Sequence, residues 1–345
     1  MKSTGKRLII AVFMISFCIF FASPSVLLAQ RVNFLNTPNG SDKVFLKTTP
    51  WSGYWWERKG GYLFKGWNGH PESPLTKYDK YVSSRSGKNP GAVAWEKDSK
   101  NKHYTPRGNA WGGHCNGWSA ASILEPEPKA PRTVGGITFT VADQKGILSE
   151  LYMDTYFEFY GTRSNSYDYV DQDIYPDLFH RLLVENLKVK NRAIVADIDP
   201  EKPVWNFPIT GYETTWEASY NKARVYFTTK IYYIDDKVNA DFVGVKWFAK
   251  TYYYTLYLNE KGEVTGGIWN KSSKSSHPDF IWIPTADAPA SINENPCLDT
   301  KFVHEITGNP IPTPVPQPPT NASGTIRTVR TNAVLIEAGV DISAL

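Results

Sequence analysis

The sequence predicts an α+β protein, because helical patterns dominate its first half and strand patterns its second half. From residue 222 onward, apolar and polar residues alternate in segments rich in β-branched and aromatic residues. These predicted strands cover residues 222–235, 242–249, 252–258, 264–269 and 280–283. The turn sequence EKGE at 260–263 joins two of them into a hairpin, so we expect an antiparallel sheet.

Helices are predicted before that sheet. Residues 173–188 have an acidic start, Pro176 in the first turn and an apolar stripe that includes Leu178 and Leu182, which is typical of an amphipathic helix. We also expect a short buried helix at 117–124, a strand at 136–142 and a helix at 143–160. Residues 51–110 carry many tryptophans, glycines and prolines with little periodicity, which predicts an irregular, aromatic-rich N-terminal region.

The two ends of the chain read as separate segments. Residues 1–29 have a positively charged start, an apolar middle and a small-residue end, which predicts a secretory signal peptide and a secreted or periplasmic protein. Residues 30–308 then form one domain, 309–323 a proline-rich linker and 324–345 a C-terminal tail. An uncleaved membrane anchor is the alternative for the first segment, although its apolar run is shorter than the roughly 18 residues that a membrane-spanning helix needs.

The charge balance excludes one class of partner. The chain has 38 Lys and Arg against 34 Asp and Glu, and three of the cations lie in the predicted signal peptide. The mature protein is therefore nearly neutral. Without a basic patch we expect no nucleic-acid binding, and after signal cleavage we expect no membrane binding.

The motif WGGHCNGWSAAS at 111–122 carries the most informative chemistry. Glycines precede Cys115 and an apolar helix is predicted to follow it, which places the thiol at a helix N-terminus. That setting predicts a free, acidic thiol and backbone N–H groups able to stabilise an oxyanion. A disulfide with Cys297 is the simplest alternative in an exported protein, and a buried turn with a packed cysteine is another. Asn109, six positions upstream, matches the offset of the oxyanion-hole amide in papain-like enzymes.

A nucleophilic cysteine needs a base, and His277 is the best candidate in the sequence. It follows a polar loop and starts a predicted strand, with Asp279 two residues later on the same face of an extended chain. Asp279 would hold the imidazole in one tautomer. Asp299 or Asn293 is an alternative third group, and His114 is an alternative histidine.

Other residues complete the predicted site. Trp111, Trp118 and Trp205 are candidates for the walls of a substrate channel. No cysteine–histidine spacing in the sequence suggests zinc, so no metal site is expected from spacing alone.

Several separated blocks resemble the transglutaminase elicitors of oomycetes and their relatives in marine bacteria. Residues 204–216, VWNFPITGYETTW, are similar to the elicitor peptide of that family, with matching residues at Val204, Trp205, Asn206, Pro208 and Gly211. Phe207, Thr210 and residues 213–216 depart from the peptide, which puts plant-elicitor activity in doubt. Further blocks follow in family order at 49–56, 73–81, 111–122, 177–183 and 277–284.

The resemblance implies a papain-like core, with a helix that bears the nucleophile packed on an antiparallel sheet, and cross-linking of protein glutamine to lysine through a Cys115 thioester. Protein substrates supplying the glutamine donor and the lysine or amine acceptor are the implied partners. Calcium is implied as a possible cofactor by the resemblance alone, and residues 169–173 and 197–199 are loose candidates for its loop. A papain-like protease or amidase, and a secreted aromatic-rich binding module without catalysis, are the alternatives.

Overall fold

The computed structural model describes residues 34–311, apart from 35, 68, 71, 154, 163–173, 199, 201–202 and 288–293. These residues belong to one compact unit that begins at Phe34. Its strands are β1 (Asn39–Phe45), β2 (Arg132–Val134), β3 (Ile137–Phe139), β4 (Thr155–Gly161), β5 (Ile194–Ala196), β6 (Phe207–Ala218), β7 (Arg224–Ile234), β8 (Trp247–Leu258), β9 (Val264–Trp269) and β10 (Phe280–Asp287). Its helices are α1 (Tyr62–Lys65), α2 (Pro74–Ser86), α3 (Ala92–Lys97), α4 (Cys115–Leu124), α5 (Val141–Leu151), α6 (Pro176–Leu183) and α7 (Thr300–Thr307).

An eight-stranded antiparallel sheet forms the framework, in the order β4-β10-β5-β6-β7-β8-β9, with β1 paired to β6. The long strands β6, β7 and β8 place aromatic residues opposite one another, as at Trp216–Phe227 and Phe227–Tyr254. The rings of Phe227 and Tyr254 stack with centroids 5.0 Å apart. Mixed helices and an antiparallel sheet confirm the predicted α+β class.

Helices α4 and α5 cross closely beside this sheet. A Cβ atom added at Gly117 of α4 would lie 2.0 Å from the carbonyl oxygen of Ser149 on α5, so only glycine allows this approach. Helix α5 begins at a capping box, in which Thr140 and Asp143 each accept a hydrogen bond from the other's backbone N–H. Trp118 of α4 and Phe280 and Trp282 of β10 belong to one buried core, which joins this helix pair to the sheet.

The C-terminal strands follow the prediction closely. The hairpin of β8 and β9 is confirmed, and β7 and β10 lie where strands were expected. The two strands predicted at 242–249 and 252–258 are one continuous strand, β8, which begins at Trp247. The predicted helix at 173–188 is confirmed from Pro176 and continues as a π-helix over Val184–Val189.

The middle of the chain was predicted less well. The strand expected at 136–142 ends at Phe139, because the capping box starts α5 at Val141. The helix expected at 143–160 ends at Leu151, and its second half is the strand β4, which pairs with β10. The region 51–110 is not wholly irregular, since Ser73 caps the 13-residue helix α2 with Pro74 in its first turn.

The predicted ends of the chain fall largely outside the described residues. The signal peptide, most of the linker and the tail are among the residues that the structure does not describe. Within the described part, no helix combines the length and apolar character needed to cross a membrane.

Candidate active site

Cys115 is the first residue of α4, as the sequence predicted. The backbone N–H of the preceding His114 donates to the carbonyl oxygen of Trp55 at 2.6 Å, which fixes where the helix begins. A Cβ atom at Gly113 would lie 2.4 Å from that same Trp55 oxygen, so glycine is required for the approach. Cys115 and Cys297 are both free, and the disulfide alternative is therefore wrong.

A side-chain amide holds the thiol. Nδ2 of Asn206 donates to Sγ of Cys115 at 3.3 Å. The other end of the amide is fixed too, because Oδ1 of Asn206 accepts from the indole N–H of Trp282 at 2.8 Å. The Ser119 hydroxyl donates to the Asn206 carbonyl oxygen at 2.6 Å, which ties this residue to helix α4 as well. All of these groups are buried, so the amide is preorganised beside the sulfur.

The prediction of an acidic thiol is wrong for this resting structure. Burial raises the pKa of the Cys115 thiol to about 11, the hydrogen bond from Asn206 opposes that rise, and the negative charge of Asp236 adds to it. Desolvation of the thiolate therefore outweighs the effect of the helix N-terminus. The thiol is protonated at neutral pH, and it needs a proton acceptor or a change of surroundings before it can attack.

Asp236 is the carboxyl group that acts electrostatically on this thiol. It is fully buried, and neither of its oxygens has a hydrogen-bond partner among the described residues. Burial and the charge of the adjacent Asp235 raise the pKa of Asp236 to about 7, while Lys237 lowers it. By contrast, Asp235 is paired with Lys246 at 2.8 Å. A buried carboxyl whose pKa is about 7 and whose charge acts on a thiol is a candidate for proton transfer.

Aromatic side chains form a rim next to Gly113 and Asn206, the residues that position Cys115. Trp205 immediately precedes Asn206, is partly exposed, and packs edge-on against Trp55 with ring centroids 6.2 Å apart. Nζ of Lys237 lies 4.6 Å above the centre of the Trp205 ring. This aromatic rim, made of Trp55, Trp205 and Lys237, is partly open to solvent.

The structure does not place Trp111, Trp118 or Asn109 at the thiol. Trp118 has no exposed surface and packs in the core against Gly53, so it cannot line a solvent-accessible channel. Trp111 is partly buried. Asn109 is exposed in the turn before Gly112, and the amide at the sulfur belongs to Asn206 instead.

His277 and Asp279 lie just before β10 and not within it, because that strand begins at Phe280. Both residues are buried. The His277 ring stacks on Trp269 with centroids 5.4 Å apart, and its Nδ1 lies 2.9 Å from the carbonyl oxygen of Ser273. The backbone N–H of Asp279 donates to the Asp197 carbonyl oxygen. The pairing of His277 with Cys115 stays a prediction.

Asp299 and Asn293 were the alternatives to Asp279 as the residue that orients the histidine. Asp299 caps helix α7, where its Oδ1 accepts from the backbone N–H of Lys301 at 2.8 Å. That helix was not predicted, and the capping bond assigns this carboxylate a structural role. Asn293 and the possible calcium loop at 169–173 lie outside the described residues, as does Asp199. Asp197 is buried, with its Oδ1 3.5 Å from the backbone nitrogen of Trp205.

A second buried polar centre lies next to the thiol along the chain. Glu96, His103, His114 and Glu150, which we call the His–Glu cluster, bring four potential metal-ligand atoms within 4.8 Å of one another. His114 therefore turns its ring into this cluster and not toward a reaction at Cys115. The sequence predicted no metal site because it lacks the cysteine–histidine spacing of zinc sites. That criterion could not detect the His–Glu cluster, because two of its four members are glutamates.

The fold and this site define an α+β protein with a buried thiol centre at the start of a helix. Its family follows from comparison with known proteins: the model of the transglutaminase elicitor family matches residues 86–247 and 237–305, so the chain belongs to that family. The fold is similar to the crystal structure of the GP42 transglutaminase from Phytophthora sojae, with a TM-score of 0.60 and 23% identity over 77% of this chain and 91% of that one. No curated protein matches the chain.

Sequence reasoning missed Asn206 and Asp236 as site residues. Asn206 lies within the family-like block at 204–216, but no local sequence pattern indicates that its side-chain amide bonds to the sulfur of Cys115, 91 residues away. Asp235 and Asp236 follow directly after β7, and two adjacent carboxylates after a largely apolar strand are a signal that the sequence could have offered. The fold decides which of the two carboxyls is paired and which is not.

Proposed function

We propose that this protein is an exported transglutaminase, a protein-glutamine γ-glutamyltransferase that uses Cys115 as its nucleophile. The observation that carries the proposal is the bond from Asn206 to the thiol at the start of α4, in a chain of the transglutaminase elicitor family. The packing of α4 beside an antiparallel sheet supports a papain-like core, in which a cysteine opens a helix. Export rests on the signal-like N-terminal sequence.

The proposed reaction has two stages. Sγ of Cys115 attacks the side-chain carboxamide carbon of a protein glutamine, a thioester forms, and ammonia leaves with the proton that the thiol gave up. A lysine amine then attacks the thioester carbon, which forms the isopeptide bond and returns the proton to sulfur. In both stages the carbonyl oxygen becomes negatively charged, and the Nδ2 donor of Asn206 and the N-terminal N–H groups of α4 are available to stabilise it.

For the proton acceptor we propose Asp236, because it is fully buried, neither of its oxygens has a hydrogen-bond partner among the described residues, and its charge acts on the thiol. A group whose pKa is about 7 can hold and release a proton at neutral pH. His277, oriented by Asp279, is the alternative that the sequence pattern supports. The two assignments differ in which single change stops turnover.

The aromatic rim supports transfer to an amine over transfer to water. Trp55 and Trp205 offer apolar surface next to the thiol, and an apolar acceptor path lowers the local concentration of water at the thioester. Nζ of Lys237 lies over the Trp205 ring, so a substrate ammonium group would contact this ring by displacing Lys237 or on the opposite face. A lysine side chain has that chemistry.

The test is amine incorporation. The purified protein is incubated with a glutamine-containing protein and a fluorescent primary amine, with and without calcium, and covalent fluorescence is measured. We expect incorporation by the wild type, none by Cys115→Ser, and wild-type rates for the matched control Cys297→Ser, which removes the other free thiol. Ammonia release or peptide cleavage without incorporation would make the protein a hydrolase of the protease or amidase type. If the Cys115→Ala variant still binds the glutamine-containing protein and the wild type shows no thiol-dependent activity, the result favours the secreted binding module without catalysis.

A second set of variants identifies the proton acceptor. We expect Asp236→Asn to lower the rate of incorporation by about 100-fold or more, in keeping with the loss of a general base. His277→Ala and Asp279→Ala are compared with it, and circular dichroism reports folding. If His277→Ala is inactive and folded while Asp236→Asn is active, the base is His277 and the assignment to Asp236 is wrong.

A further inference from the structure

The His–Glu cluster gathers four ligand-type side chains in a space closed to solvent. All four residues are buried, with exposures of 1% or less. They come from separate parts of the chain: Glu96 from α3, His103 from the loop after it, His114 from the residue before α4, and Glu150 from α5. No interaction within one helix explains why they meet, so the fold itself brings them together.

The distances within the cluster suit one small ion. Nδ1 of His103 and Nε2 of His114 lie 3.2 Å apart. Two nitrogens bound to one tetrahedral Zn²⁺, each at about 2.0–2.1 Å, are about 3.3 Å from each other. Oε2 of Glu150 lies 3.1 Å from the His114 nitrogen. These ligand atoms are therefore spaced as neighbours in one coordination shell.

The outer nitrogen of each ring lies within 2.8 Å of an oxygen atom. Nδ1 of His114 lies 2.8 Å from the carbonyl oxygen of Trp56, and Nε2 of His103 lies 2.7 Å from Oε1 of Glu294. When each outer nitrogen carries the ring hydrogen, the inner nitrogens present their lone pairs to each other. Metal-bound histidines commonly orient through such contacts with a carbonyl or carboxylate.

The carboxylates are positioned in the same manner. Oε2 of Glu96 lies 2.7 Å from Nδ1 of His103. Glu150 is held from behind, since Oε1 accepts from the amide of Asn295 at 3.0 Å and Oε2 faces the cluster. Each carboxylate thus has an oxygen close to an imidazole nitrogen, and one ligand atom from each of the four residues lies within 4.8 Å of the others.

The charge of the cluster indicates the class of ion. With neutral imidazoles, Glu96 and Glu150 give the cluster a charge of −2, and Glu294 adds a third carboxylate at the outer nitrogen of His103. A divalent cation offsets most of this negative charge in a place where water cannot. Imidazole nitrogen suits zinc and the neighbouring transition metals, whereas Ca²⁺ takes six to eight oxygen ligands. The calcium implied by the family resemblance therefore does not belong in this cluster.

We propose that the His–Glu cluster binds a single Zn²⁺ ion with a structural role. With four protein ligands the site is closed, as structural zinc sites are, and leaves no position for a substrate. The ion would tie α3 and the loop after it to α5. Through His114 it would also fix the residue from which α4 and its thiol begin.

The competing account is that protons alone hold the cluster, shared between the imidazoles and the carboxylates. The two accounts differ in metal content. Full-length protein lacking only the signal peptide is purified without chelators, dialysed in separate samples against Zn²⁺, Ca²⁺ or Mg²⁺, and then against metal-free buffer. Metal per chain is measured by plasma mass spectrometry, and the thermal midpoint is measured before and after a strong chelator. We expect about one zinc per chain and a lower midpoint after chelation, with no retained calcium or magnesium.

Two variants locate the ion. His103→Gln should reduce retained zinc at least tenfold, because loss of even an outer-shell partner of a ligand typically costs about 10- to 100-fold in metal affinity. The matched control His304→Gln changes another buried histidine, whose Nε2 lies 2.6 Å from Glu125, and should keep its zinc. Cys115→Ser should keep it too, because the thiol lies outside the cluster.

Wild-type Co²⁺ protein gives a measurement that does not depend on any variant. Strong visible absorption of the kind given by four-coordinate cobalt is expected. Folded wild-type protein that retains less than about a tenth of an equivalent of zinc overturns the proposal. So does zinc that is kept equally by His103→Gln, since the ion then lies elsewhere. Neither result bears on the transglutaminase proposal, whose readout is amine incorporation.

Discussion

Asn206→Ala is the change that separates the role of the amide at the thiol from its role in packing. The side chain makes two bonds in the structure, one to Sγ of Cys115 at 3.3 Å and one from the Trp282 indole at 2.8 Å. Truncation leaves the buried indole N–H without an acceptor, which costs about 1–3 kcal/mol. A domain has about 5–15 kcal/mol of stability, so the variant should fold.

The expected effect on activity is larger than the effect on stability. Loss of one preorganised donor to a developing oxyanion lowers the rate by about 100- to 1,000-fold, which corresponds to about 3–4 kcal/mol. The assay is amine incorporation, together with a urea melt at the same pH. The matched control is Asn186→Ala, which removes another buried asparagine side chain, one that donates to the Leu182 carbonyl oxygen. We expect the control to lose similar stability and to keep its rate.

Rates within threefold of the wild type for folded Asn206→Ala would refute this reasoning. The amide would then be a packing element, and the oxyanion would depend on the backbone N–H groups of α4 alone. An equal loss of rate in Asn186→Ala would also refute it, because the loss would then follow from destabilisation.

Four further predictions concern the same region. Native Cys115 should react with iodoacetamide more slowly than Cys297 at pH 7.5, since burial raises the pKa of the Cys115 thiol to about 11. In denaturant the two cysteines should react at equal rates. Faster labelling of native Cys115 would mean that its thiol is acidic. Asp236→Asn should stabilise the fold above pH 7 and have little effect near pH 4. The reason is that a carboxyl whose pKa is about 7 in the folded state lowers the free energy of unfolding progressively as the pH rises from about 4 to 7. A difference in melting temperature that does not change with pH would contradict this. Gly117→Ala should cost about 3 kcal/mol in a urea melt by forcing α4 and α5 apart, whereas Gly112→Ala, whose added Cβ would lie 3.7 Å from its nearest neighbour, should be nearly neutral. Trp205→Ala should lower incorporation and raise the share of hydrolysis, and an unchanged ratio of the two would remove the aromatic rim from the mechanism.

The sequence was most informative where local pattern decides structure. The apolar run after Cys115 and the alternation in β7 to β9 each predicted an element that the structure contains. Prediction failed where a distant partner decides. Residues 155–160 were assigned to the helix only by extension of the apolar pattern that precedes them. Their threonine, tyrosine and phenylalanine side chains favour a strand, and they form β4, which pairs with β10.

The candidate site shows the same division. The position of Cys115 at a helix start follows from the adjacent glycines and the apolar run, and both are visible in the sequence. The pKa of its thiol does not follow, because it depends on how completely the surrounding chain excludes water. Asn206 lies just before β6 and bonds to the thiol, and Asp236 lies just after β7 and acts on it electrostatically. They are 91 and 121 residues from Cys115 in sequence, so only the fold identifies them.

Most of the segment 204–216, which is similar to the elicitor peptide, belongs to strand β6, because that strand begins at Phe207. One edge of β6 pairs with β5 and then β1, and the other edge pairs with β7. A strand bonded along both edges opens only when most of the domain opens, so its amide protons should exchange with solvent at the rate of global unfolding. A receptor that reads the backbone of this segment as an extended peptide therefore has no access to it in the native protein. Such a receptor would detect degraded or unfolded chains, and recognition of the segment would report damage to the protein and not its presence.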